Sequence, residues 1–102
     1  MTDNDVDRIR SHLAAAVQLL PDNPRAHLRF ADASAEAQDP EVALVHWRCA
    51  LELRPELDAA HLALAQHHLS AGQPAPAERH ARAALKAEPD DYRRHILLAQ
   101  AL

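Results

Sequence analysis

Pro21, Pro55 and Pro89 stand 34 residues apart, and Pro40 and Pro74 keep the same step. Two histidine series, His12/His46/His80 and His27/His61/His95, repeat it. So do Leu28, Leu62 and Ile96, and Ala31, Ala65 and Ala99. A fixed step of this length outranks any local reading. It means that one supersecondary unit recurs, and that each copy buries its apolar face against the next. The 102 residues hold three such periods of 34.

Each period is punctuated as two helices. Pro40 and Pro74 follow Asp39 and Gln73, where the first turn of a helix tolerates a missing N–H. Asp39 is an N-cap candidate, and Asp58 before Ala59 and Ala60 is another. Pro21, Pro55 and Pro89 end the preceding helix, because a residue before proline is pushed out of the α region. Gly72 suits the left-handed position after a helix ending near Ser70 and Ala71. Six helices are therefore predicted, over 4–20, 24–37, 40–54, 58–71, 74–87 and 91–101. Their short connections require antiparallel neighbours. Composition agrees: 23 Ala and 15 Leu favour helix, while one Gly, four Val, two Ile and three aromatics leave little for strands and hairpins.

The stretches His12–Pro21, His46–Pro55 and His80–Pro89 align without gaps. Each resembles the second helix of the tetratricopeptide repeat, with a large residue, then Ala-Leu or its like, then Pro. The first helix of that family carries a large residue, then Leu and a small residue. Those places hold His27, Phe30 and Ala31, then His61, Leu64 and Ala65, then His95, Leu98 and Ala99. Gly72 and Ala77 match the turn glycine and the small residue after it, as Ala43 does one period earlier. The chain departs from the family where His replaces most of its Trp and Tyr, and where Gln38 stands at the turn glycine.

The resemblance implies an all-α fold, a right-handed superhelical solenoid of antiparallel helix pairs. Residues 1–102 would form a single domain: a lone second helix over 1–23, full repeats over 24–57 and 58–91, and a lone first helix over 92–102. Ala31, Ala50, Ala65, Ala84 and Ala99 let helix axes approach, with Phe30, Leu64, Leu51, Leu85, Trp47 and Leu53 filling the space around them. The family builds its concave face from first helices. Carried over, that face includes Arg25, Leu28, Arg29, Asp32, Leu62, Gln66, Leu69, Arg93, Ile96 and Gln100. Ala35, Glu36, Ala59 and Ser70 complete it, and Arg94 flanks it. Such a groove implies a protein partner, a peptide or helix with apolar anchors and some acidic character. The plainer reading is that these leucines pack against their neighbours and the arginines are solvated. Chaperone-binding members clamp a terminal carboxylate with Lys, Asn and Arg. With no Lys in a first helix and no Asn after Asn23, that mode is disfavoured. Ile96, Leu97, Leu98 and Leu102 have no following helix to cover them. A fragment of a longer array, self-association, and partner docking through this end all stay open.

Other classes are excluded or left without support. The net charge of −4, with ten Arg and one Lys spread along the chain, argues against nucleic acid. No apolar run approaches a membrane span. The acidic Asp3 and Asp5 sit where a signal peptide would be basic, so a cytoplasmic location is expected. The single Cys49 excludes an internal disulfide and any Cys-based zinc site. It reads as a small packing residue beside Ala50.

Eight His invite a metal- or haem-handling alternative. No pair is spaced i, i+4, however, and each 34-step series is a ladder and not a cage. A site between adjacent helices, for example with His46 and His61, stays open. The favoured reading is interhelix packing, with each ring's polar tip reaching a carbonyl or water. Ser11, Ser34 and Ser70 lack a nucleophile-elbow context and Gly72 stands alone, so no enzyme and no cofactor are expected. The expected function is a protein-interaction scaffold. A non-catalytic accessory domain of a larger enzyme or assembly complex is the third reading.

Overall fold

The helix starts are written in side chains that satisfy backbone N–H groups. In the computed structural model, which describes residues 3–102, Asn23 accepts from the amides of Arg25 and Ala26 at 3.0 and 3.2 Å. Pro24 follows it at the first helical position. Asp39 caps the next helix through Val42, and Asp91 caps the last through Arg93. Asp58 departs from the expectation. Leu57 occupies the cap position with no side-chain bond, and Asp58 is already helical. Its carboxylate instead takes Arg94 Nη2 at 2.8 Å.

Six helices result among the described residues, with no strand: α1 (Asp3–Leu19), α2 (Pro24–Glu36), α3 (Pro40–Leu53), α4 (Asp58–Ser70), α5 (Pro74–Ala87) and α6 (Tyr92–Ala101). The fold is all-α, with consecutive helices packed pairwise within α1–α3 and within α4–α6, consistent with tetratricopeptide-like helix pairs. No helix of the described residues is long and apolar enough to cross a membrane.

Two turns close alike. Gln38 N–H donates to Ala35 O at 3.1 Å and Asp39 N–H to Ser34 O at 2.9 Å. Gly72 N–H donates to Leu69 O at 3.1 Å and Gln73 N–H to His68 O at 2.8 Å. Both are Schellman caps, which need a left-handed residue after the helix. Gly72 supplies it at φ 72°, and Gln38 supplies it at φ 64° despite its Cβ.

The chain divides into two compact units, Met1–Pro55 and Glu56–Leu102. In the first, α2 packs against both α1 and α3. Ala31, Ala43 and Ala50 are fully buried there, which lets the axes approach, and Trp47 closes the space. Arg10 fastens α1 to the α2–α3 turn through Asp39 at 2.6 Å, its guanidinium 5.9 Å from the Phe30 ring centre. In the second, α4, α5 and α6 pack mutually around Leu64, Ala65, Ala77, Ala81, Ala84 and Leu97. Three expectations change. Leu53 is exposed and does not fill the core, Ala99 is exposed and lets no axis approach, and Leu97 is buried while Ile96 and Leu102 stay exposed. The 3.6-residue period turns Leu97 onto the α4/α5 side and its neighbour away from it.

Candidate functional site

Half of the expected groove residues meet in one place. Leu62 and Gln66 are one turn apart on α4, and Arg93, Ile96 and Gln100 share a stripe of α6. With Asp91, Arg94 and Leu97 they line a surface hollow of about 320 Å3 in the second unit. Ile96 keeps 52% of its surface exposed, and Leu62 is half-buried. Leu69 lies elsewhere: with Leu62 and Leu98 it packs against Ala65, Ala81 and Leu97.

The cations of the hollow have different fates. Arg93 is 77% exposed and bonded at its edge to Asp91, Nε to Oδ1 at 3.3 Å. That contact raises the Arg93 pKa. It is also the first cause, ahead of the Arg93 backbone amide, that holds the Asp91 carboxyl below its ordinary range. Arg94, expected to flank the groove beside Arg93, is instead buried. Its guanidinium donates to Ala84 O at 2.6 Å, to Asp58 Oδ2 at 2.8 Å and to Asp91 Oδ2 at 3.3 Å. Adjacent helical residues point about 100° apart, and Arg94 falls on the side that faces α4 and α5.

In the first unit, Arg25 and Arg29 are exposed on α2 and Leu28 is buried. Asp32 accepts from Trp47 Nε1 at 2.9 Å. Desolvation, the largest cause, raises its pKa, and the indole bond opposes that.

The histidines pair within repeats. His27 Nδ1 lies 2.9 Å from His46 Nδ1, their rings stacked at 5.2 Å and 19°. Phe30 meets the His46 ring edge-on at 4.7 Å. One period on, His61 Nδ1 lies 3.0 Å from His80 Nδ1, and His68 stacks on His80. The expected polar tips also appear. His27 Nε2 reaches Pro21 O at 2.7 Å, and His95 Nε2 reaches Pro89 O at 2.8 Å. A carbonyl only accepts, so His27 Nε2 carries the proton. When that ring is neutral, its Nδ1 accepts from His46 Nδ1–H. Desolvation first, and His27 second, push the His46 pKa down.

Cys49 joins this pair. One ligand atom from each of His27, His46 and Cys49 lies within 4.8 Å of the others. The sequence reading placed Cys49 with Ala50, took a lone cysteine to exclude a Cys-based zinc site, and missed this meeting. One thiol with two histidines of the same repeat makes a three-ligand set that cysteine count alone does not reveal. Its signal was the i, i+3 spacing of His46 and Cys49, which sets both on one helix face.

Residues 58–101, which cover α4 to α6, match the family model described as tetratricopeptide repeat. No curated protein sequence matches the chain.

Proposed function

This chain belongs to the tetratricopeptide-repeat family, whose members bind other proteins, and from that premise we propose that it holds a partner peptide or helix at the α4/α6 hollow. The observation that carries the reading is Ile96, an exposed branched aliphatic side chain beside Leu62 in a concave site rimmed by amides and one exposed guanidinium. An apolar anchor of the partner would remove these groups from water, and Gln66 and Gln100 would meet its backbone.

Charge narrows the partner. Arg93 and Arg94 are formally balanced by Asp58 and Asp91, and Arg94 is turned inward. The apolar anchor therefore dominates, and acidic preference is confined to one contact, at Arg93. On α2, Arg25, Arg29, Leu28 and Asp32 offer a weaker case, because Leu28 is buried and Asp32 is engaged by Trp47.

The test is selection of a phage-displayed random peptide library on the full chain. Enriched peptides should carry a large apolar residue near Asp or Glu. Ile96→Asp, at an exposed position, should weaken them about tenfold or more, roughly 1.4 kcal/mol, with helical circular dichroism unchanged. Peptides that bind Ile96→Asp and Leu62→Asp as they bind the wild type would refute the assignment.

A further inference from the structure

The meeting of His27, His46 and Cys49 lies in the first unit, apart from the hollow and independent of it. We propose that these three side chains form a binding site for a borderline-soft divalent ion, Zn(II), with a fourth position open to solvent or an exogenous ligand. Two imidazoles and one thiolate suit Zn(II) in both hardness and number, the arrangement of a site with three protein ligands and one open place.

The geometry needs small adjustment. Bonds of about 2.0–2.1 Å to nitrogen and 2.3 Å to sulfur in a tetrahedral site separate two nitrogens by about 3.3 Å and nitrogen from sulfur by about 3.6 Å. The His27 and His46 Nδ1 atoms are already 2.9 Å apart, and the thiol lies within 4.8 Å of one ring nitrogen of each histidine. A ring shift of a few tenths of an ångström and a Cys49 side-chain rotation close the site. The supporting shell is present. His27 Nε2–H donates to Pro21 O at 2.7 Å, which fixes the ring and leaves the Nδ1 lone pair facing His46. The ion takes the place of the proton shared between the rings. That proton moves to His46 Nε2, and the thiol proton is released to solvent.

The repeat supplies its own control. His61 and His80 reproduce the imidazole pair at 3.0 Å, but Ala83 stands 34 residues after Cys49. The second pair has two rings and no sulfur. Packing alone calls for no thiol, since Ala15 and Ala83 hold the same register.

The experiment is titration of the reduced full chain with Co(II) alone. The expected result is one equivalent bound, with a thiolate-to-cobalt charge-transfer band in the near ultraviolet. Cys49→Ala should abolish the band and weaken binding about tenfold or more. Zn(II) should displace the cobalt and slow alkylation of Cys49 in the wild type, a readout that stands even if the variant folds poorly. In NMR spectra Zn(II) should move the His27 and His46 ring resonances and not those of His61 and His80. Absence of the thiolate band, alkylation at the same rate with and without Zn(II), or shifts centred on His61 and His80 would each overturn the site.

Discussion

Gln38 holds the left-handed position of a Schellman cap that its counterpart one repeat later gives to Gly72, so Gln38→Gly should stabilise the protein. A non-glycine residue near φ 64° costs roughly 1–2 kcal/mol, because its Cβ crowds the following carbonyl. Glycine removes that cost but gives the unfolded chain more freedom, which costs about 0.4–1 kcal/mol. The Gln38 side chain is exposed and makes no hydrogen bond or ion pair among the described residues, so nothing else is lost. The net gain is about 0.5–1 kcal/mol, which at a urea m-value of roughly 1–1.5 kcal/mol/M raises the unfolding midpoint by about 0.5 M. Gly72→Ala is the mirror experiment. A Cβ there meets nothing within 4 Å, so only the backbone term acts and the midpoint should fall by a similar amount. Urea unfolding followed by circular dichroism at 222 nm reads both. An unchanged or lowered midpoint for Gln38→Gly, at constant m, would refute the strain argument.

Leu64→Ala removes a side chain with no exposed surface at the centre of the second unit and should cost on the order of 2–5 kcal/mol in urea unfolding. Ser34 Oγ is buried without a hydrogen-bond partner, so Ser34→Ala should raise the unfolding midpoint, a gain of about 1 kcal/mol. Asp39 is held below its ordinary pKa first by its bond to Arg10, so its folded pKa lies under the unfolded value. Its contribution is therefore complete above the unfolded pKa and is lost as pH falls through the folded one. Unfolding midpoints of Asp39→Asn should fall less steeply than wild type between about pH 5 and pH 2. Parallel acid limbs would contradict the assignment.

The helix plan was legible because its signals are local: proline at first turns, carboxyl and amide caps, and glycine after a helix. Each acts within four residues of where it stands, and the ends fell within about one residue of expectation. The exceptions are residues whose partners are distant in sequence. Asp58 looked like a cap from its neighbours, but a cation 36 positions away, Arg94, claims its carboxylate. Arg94 in turn looked like a surface cation beside Arg93, and only the position of α4 and α5 decides that it turns inward. For the histidines, the 34-residue step relates equivalent places in successive repeats and so displayed ladders. The contacts that form join places 19 apart, the first-helix ring to the second-helix ring of one repeat. That crossing is set by how closely Ala31 and Ala50 let two axes approach. Of the expected groove residues, Leu62, Gln66, Arg93, Ile96 and Gln100 converge because they share two facing stripes, whereas Leu69 is drawn to Ala65, Ala81 and Leu97.

The three-way grip of Arg94 has a consequence for how the second unit comes apart. Its guanidinium spans a carboxylate on α4, a carbonyl on α5 and the carboxylate ahead of α6. Peeling α6 away would strand Asp58 and the Ala84 carbonyl together, so the end helix cannot fray at the low cost usual for a terminal element. The three bonds leave from Nε, Nη1 and Nη2 of one rigid plane, and lysine could not reproduce that reach. Amide protons in the middle of α6 should therefore exchange with solvent in step with those of α4, which hydrogen-exchange measurements would read. The ten-residue helix that carries Ile96 is a cooperative member of its unit and presents that side chain from a fixed platform.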